Sequence, residues 1–240
     1  KLEDYKQKHY SSENIIICAA GNIPHEKLVD LAKKYFDELK VSKNGYKRLS
    51  PKPRKKGTIV KIAKPIQQAH MCYGATAFKV GDDRRFPLLI LNTLLGDGMS
   101  SRLYQSVREK RGLAYSVYSF ANLLTDTGSF GIYIGTDKSK TDLALSLIKK
   151  ELEKFNDKPI TASELSRTKS QVKGSMVLGL ESMSNRMMRL AKGEIYYHKF
   201  QTVDSLIEKI NNVDIASIQS VASDLFDLDR FSLISYIPEK

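Results

Sequence analysis

Residues 100–136 read SSRLYQSVREKRGLAYSVYSFANLLTDTGSFGIYIGT, and how they fold decides the class of the protein. The first part has the character of a helix, which Ser100 or Ser101 can cap and which runs to about residue 110. A charged knot, R-E-K-R-G, follows at 108–112, and the chain crosses from helix to strand at Gly112. Beyond it AYSVYSFANL (114–123) and GSFGIYIGT (128–136) read as two strands, joined by a turn around Thr125–Asp126–Thr127.

The same alternation of helices and strands continues outward. On the N-terminal side the apolar run RFPLLILNTLLG (85–96) reads as a helix that ends in a Gly-Asp-Gly loop at 96–98. Before it lie β-like stretches at about 58–63 and 67–78. Nearer the start, a helix at 1–9, a strand at 14–20 (NIIICAA) and a helix at 25–38 are expected. In the last of these Leu28, Leu31, Tyr35 and Leu39 recur at helical spacing. After the hairpin come helices at about 140–155, 161–180, 183–196, 202–210 and 214–225, then a closing strand FSLISYI (231–237). Hairpin strands with helices grouped between them predict an α+β layered fold, with an antiparallel or mixed β-sheet and helices packed on one face.

KLEDYKQKHYSSENIIICAAGN (1–22) and SIQSVASDLFDLDRFSLISYIP (217–238) share a layout of amphipathic helix, terminal aromatic, short polar turn and apolar strand. Aligning Tyr10 with Phe226 also aligns Ile15 with Phe231. The pattern is common, but it suggests that residues 1–40 end a domain built like the one that ends at 240. The chain starts on Lys1 in what reads as mid-helix, which points to a fragment or a processed chain.

A composition of 41% hydrophobic and 28% charged residues, with mean hydropathy −0.35, is that of an ordinary globular protein. No apolar run approaches the roughly 18 residues of a membrane span. The net charge of +12 raises the question of nucleic acid. Its distribution argues against that, because 40–57, KVSKNGYKRLSPKPRKKG, carries eight Lys or Arg and no acid. A basic run punctuated by Pro, Gly and Ser reads as a solvated linker, and no nucleic-acid motif accompanies it. The two cysteines, Cys18 and Cys72, lie in apolar β-like stretches and read as buried free thiols, a disulfide between two strands remaining open. Free thiols lean towards a cytoplasmic location.

Catalytic signatures are missing. The four histidines, His9, His25, His70 and His198, stand 16, 45 and 128 residues apart, and no H-E-x-x-H, H-x-x-E-H or C-x-x-C occurs. No metal site is expected in this chain, and no G-x-S-x-G or phosphate loop offers another chemistry. Gly96-Asp97-Gly98 precedes a helix, but Asp97 would repel an anion and a helix-to-helix turn explains the glycines. What remains is Arg108 at the end of a helix and Tyr115 seven residues on, early in a strand. A cation at a helix C-terminus is favourable by itself, and a tyrosine can simply pack on a sheet. The other reading is a pair of donors, guanidinium and phenol, held by two rigid elements and aimed at one oxygen, such as a peptide carbonyl. Spacing alone favours the structural explanation.

LNTLLGDGMSSRLYQSVREKRGLAYSVYSF (91–120), followed by TDTGSFGIYIGT (125–136), resembles the C-terminal half of M16-family zinc peptidases, the family of pitrilysin, insulin-degrading enzyme and the mitochondrial processing peptidases. YSSENIIICAAGNIPHEKLVDLAKKYF (10–36) resembles the end of the family's first domain. QAHMCYGATAF (68–78) resembles the first strand of its second, and ITASELSRTKSQVKGSMVLGLESMSNRMMRLA (160–191) the helical segment near its end. The plain R-E-x-x-G-L-x-Y form is closer to the short bacterial and processing-peptidase branch.

The resemblance implies the α+β fold shared by M16 peptidases and LuxS-like metallohydrolases. It divides the chain into a helix–strand–helix tail of an upstream domain (1–40), a basic linker (41–57) and a second domain that binds no zinc (58–240). It implies that zinc, its ligands and the general base belong to a missing N-terminal half, and that this chain holds no catalytic residue, metal or cofactor of its own. Arg108 and Tyr115 match the Arg and Tyr that the family's second half sends across the chamber to the substrate. The implied partners are a peptide substrate and the catalytic half, in the same polypeptide or in another subunit of a homo- or heterodimer. The alternative is a non-catalytic peptide-binding or scaffold subunit. On either reading the isolated chain is expected to cleave nothing.

Overall fold

The protein is described by a computed structural model over residues 1–38, 51 and 56–239. The basic linker expected at 41–57, and Leu39 of the expected second helix, lie almost wholly outside those residues. The chain divides into two compact units, Lys1–Leu49 with Ser175–Val203, and Ser50–Gly174 with Asp204–Lys240.

The larger unit is built on a five-stranded sheet of β1 (Ile59–Lys64), β2 (Ala69–Ala77), β3 (Ala114–Leu123), β4 (Gly128–Thr136) and β5 (Ser232–Pro238), in the order β1-β5-β2-β4-β3. Only β1 and β5 run parallel; the other neighbours are antiparallel, so the sheet is mixed. Because side chains alternate across a strand, pairs such as Met71–Ile134 and Tyr73–Ile132 share one face. That face is buried, with Phe130, Val117 and Leu233 on it too. The helices α3 (Arg85–Gly96), α4 (Thr141–Asp157) and α8 (Ile215–Leu225) cover it with Leu91, Leu95, Ile148, Leu152 and Val221. On the other face Tyr118, Ile234 and Tyr236 are exposed. There His70 meets the Tyr133 hydroxyl through Nδ1 at 2.6 Å, and Tyr133 stacks on Tyr118 at 5.0 Å. Helices on one face of a mixed sheet are what the sequence predicts.

Two local features set the position of the hairpin. Gly96 lets α3 close onto β3, since a side chain there would run into the backbone and Oγ of Ser119. Ser119 Oγ in turn donates to the Asn92 carbonyl at 3.0 Å. The expected α-helix up to residue 110 is a π-helix over Tyr104–Glu109. Its wider turn sends the Lys110 N–H to the Gln105 carbonyl at 3.1 Å, five residues back, while Leu103 and Val107 both stay in the core. Ser101 does not accept a capping bond; its hydroxyl donates to the Gly98 carbonyl at 2.7 Å. The unit is completed by α7 (Val203–Asn211) and most of α5 (Ala162–Gly179).

The smaller unit holds α1 (Leu2–His9), a 3-10 turn at Ser12–Asn14, α2 (His25–Phe36), the end of α5 and α6 (Met183–Tyr197). None of α1, α2 and α6 has a buried residue. The strand expected at 14–20 does not form. Ile15 has extended dihedrals, but Ile15–Ala20 belong to no ladder among the described residues, and Ile16 and Ile17 are exposed. The physical reason is that a strand's N–H and C=O groups need a neighbouring strand, however well the side chains suit one. Both thiols, Cys18 and Cys72, are free.

Candidate functional site

Helix and strand meet where the sequence places Arg108 and Tyr115. Gly112 takes the left-handed conformation, φ +56, that closes the helical segment. Its N–H bonds the Arg108 carbonyl at 2.9 Å, and the Leu113 N–H bonds the Val107 carbonyl at 3.1 Å. The second of these bonds spans six residues, and together they turn the chain from the π-helix into β3. Arg108 is exposed on that helix, its guanidinium 5.0 Å from the centroid of the Tyr104 ring one turn back.

Tyr115 owes its orientation to a β-bulge. Ala114 pairs with Thr136 and Ser116 with Gly135, so Tyr115 is the extra residue between them. A bulge breaks the alternation and re-aims one side chain. Without it Tyr115 would point with Val117 into the core; with it the residue is 56% exposed. The Thr136 hydroxyl donates to the Leu113 carbonyl and ties the two strands together just beneath it.

The phenol is not free. Tyr115 donates its hydroxyl proton to Asp137 Oδ1 at 3.1 Å. Asp137 follows directly on β4, and its Oδ2 receives the Lys140 ammonium at 3.0 Å. Those two donors, Lys140 above all and then Tyr115, hold the Asp137 carboxyl below the usual carboxylate range. Lys138 bonds the Pro238 carbonyl at 3.0 Å, and Arg111 the Ser106 carbonyl at 2.8 Å. Arg108 and Tyr115 therefore lie on adjoining elements, but each has its own partner. Among the described residues no hydrogen bond joins the two side chains.

Asp137, Lys140 and Tyr104 were not singled out by sequence. Tyr104 could have been found, since an aromatic four residues before an Arg faces it on a helix. Asp137 needed the hairpin register: counting back from the Leu123–Gly128 pair sets Tyr115 opposite Thr136, next to Asp137. The histidines have ordinary surroundings. His70 bonds Tyr133, His198 Nδ1 lies 3.7 Å from Glu194, and the His9 ring is 4.4 Å from Tyr5. Among the described residues no three His, Cys, Asp or Glu side chains gather as a metal site.

Residues 1–172 match the family described as the peptidase M16 inactive domain. The chain belongs to the M16 peptidase family. Two curated relatives are named as zinc proteases. An uncharacterized zinc protease of Streptomyces coelicolor is 35% identical over 231 residues, 94% of this chain and 50% of the relative. The uncharacterized zinc protease YmxG of Bacillus subtilis is 36% identical over 236 residues, 98% of this chain and 57% of the relative. The M16 chain thus spans about half the length of the curated relatives it matches. Two solved structures share its fold across 100% of the chain at 21% identity. One is a peptidase M16 inactive domain from Pseudomonas fluorescens, with TM-score 0.89 and 57% of that chain covered. The other is a protease from Helicobacter pylori, with TM-score 0.85 and 59% covered. The chain therefore matches the inactive-domain family of M16 peptidases over most of its length, and the relatives it matches are named zinc proteases. None of the helices among the described residues is long and apolar enough to cross a membrane.

Proposed function

We propose that this domain is the substrate-binding half of an M16-type zinc endopeptidase and acts on peptides only together with the catalytic half, supplied by the same polypeptide or by a partner subunit. Residues 1–40 are the tail of the upstream domain, 41–57 the linker and 58–240 the second domain. The apolar segment Ile15–Ala20, which pairs with no strand among the described residues, supports that division, because an extended backbone needs neighbouring strands. The compartment is cytoplasmic, in keeping with two free thiols.

Arg108 and Tyr115 are the residues that bind substrate. The observation that carries the reading is the bulge that turns Tyr115 out of the core, beside a helix end that exposes Arg108. A guanidinium offers several N–H donors and a phenol one O–H donor. Both suit a peptide carbonyl, and both bind it more strongly as negative charge develops on its oxygen. The zinc that the relatives' names imply finds no fitting ligands among the described residues. We assign it to the catalytic half.

The test is made with the catalytic half present and a quenched fluorogenic peptide as substrate. Arg108→Ala is expected to lower kcat/KM by about 100-fold, the lower end for loss of a transition-state donor. An unchanged kcat/KM would show that Arg108 does not act on substrate.

A further inference from the structure

A phenol has one proton to give. In this chain the proton of Tyr115 is already given, to Asp137 Oδ1 at 3.1 Å. Asp137 is a good place to leave it. Lys140 holds the other carboxylate oxygen at 3.0 Å, and the segment is strapped at both ends, by Thr136 to the Leu113 carbonyl and by Lys138 to the Pro238 carbonyl. Arg108 likewise rests over Tyr104, 5.0 Å from the ring centroid. A donor pair built in advance for a carbonyl oxygen would have both groups open towards it.

We propose that Asp137 is a positioning residue for Tyr115, and that the donor pair is completed only when a peptide carbonyl displaces Asp137 as the acceptor of the Tyr115 proton. The inference rests on the substrate-binding role of Tyr115. The exchange is one hydrogen bond for another: the Tyr115 O–H leaves Asp137 and turns to the substrate oxygen, while Asp137 keeps its bond from Lys140. Since both Tyr115 and Asp137 are open to water, the hold is light and a bound peptide can break it. The bulge makes the turn possible, because it re-aims the extra residue out of the core and leaves it 56% exposed. Tyr115 thus passes from a resting acceptor to a working one without any rearrangement of β3 or β4.

The experiment pairs a spectroscopic readout with a mutant cycle. In the isolated chain with 13Cζ-labelled tyrosine, the resonance that Tyr115→Phe removes should shift in Asp137→Ala and shift less in Asp137→Asn, which keeps the shape and an acceptor oxygen. With the catalytic half and the fluorogenic peptide, Asp137→Ala should lower KM by about two- to fivefold, the scale of one exposed charge-assisted hydrogen bond. In the Tyr115→Phe background the same substitution should change KM no further. Asp137's role is overturned if the resonance stays in place, if KM is unchanged or rises, or if the effect persists in the Phe background. If Tyr115→Phe itself leaves kcat/KM unchanged, the substrate role of Tyr115 falls and the inference falls with it. If Tyr115→Phe costs activity while Asp137→Ala does nothing, only the inference falls.

Discussion

Two stretches of this protein have the same layout and different fates. In the larger unit α8 leads through a short turn into β5, which lies inside the sheet between β1 and β2. In the smaller unit α1 leads through a 3-10 turn into Ile15–Ala20, which is extended at its start and pairs with nothing described. Phe231 at the head of β5 is 4% exposed and packs on Tyr73 at 4.8 Å, whereas Ile16 and Ile17 in the matching stretch are each more than 40% exposed. Local sequence sets the dihedrals of a strand; only neighbours supply its hydrogen bonds and its core. The difference teaches that propensity alone does not complete a strand, and it is the contrast expected if the partners of Ile15–Ala20 belong to the upstream domain proposed above.

Hydrogen exchange should give the largest contrast. The amides of β5 are held from both sides and should exchange only through global unfolding, at least about a thousandfold more slowly than those of Ile15–Ala20. Adding the catalytic half should slow the second set and leave the first as it was. Equal protection of both stretches in the isolated chain would break the comparison. Next in size is a matched pair of substitutions. Phe231→Ala should cost about 3–5 kcal/mol in denaturant unfolding, because it removes a buried ring that touches Tyr73, Phe226 and Phe130. Ile15→Ala, at the aligned position, should cost under about 1 kcal/mol in the isolated chain.

The same distinction explains what could be read in the sequence. α3 at 85–96 and the hairpin strands at 114–123 and 128–136 have the predicted ends, since each carries its own signals: an apolar run closed by Gly-Asp-Gly, and two apolar runs around a polar turn. A strand is expected at 14–20 because side chains report propensity, and whether a neighbouring strand is present leaves no mark on them. The π-helix was hidden for a similar reason. Leu103 and Val107 have ordinary helical spacing, and the one-residue widening shows only in backbone bonds such as Lys110 N–H to the Gln105 carbonyl. At the site, the sequence places Arg108 near a helix end and Tyr115 early in a strand, but it does not show their surroundings. The bulge and the Asp137 contact depend on strand register, which a list of residue types does not contain until the hairpin is drawn.

The smallest of these effects concerns how each helix starts. α8 is closed by a reciprocal box: Asp214 Oδ1 accepts the Ser217 N–H at 2.8 Å, and Ser217 Oγ accepts the Asp214 N–H at 3.2 Å. α1 has no side-chain cap. The Ser217 backbone N–H first, and then its hydroxyl, hold the Asp214 carboxyl below its ordinary value. A group with a folded-state pKa below its unfolded one stabilises the fold above the unfolded value, about 3.9 for Asp, and loses that effect as pH falls through the folded value. Asp214→Ala should therefore lower Tm by about 2–4 °C at neutral pH, the scale of one lost cap in a domain of this size. The gap to wild type should narrow steadily below about pH 4. Asp214→Asn, which still accepts the Ser217 N–H, should stay close to wild type at neutral pH and show little of this pH dependence. A gap that persists unchanged at low pH would mean that Asp214 acts through packing rather than through its charge, and the contrast between a capped and an uncapped entry to the two strands would lose its electrostatic part.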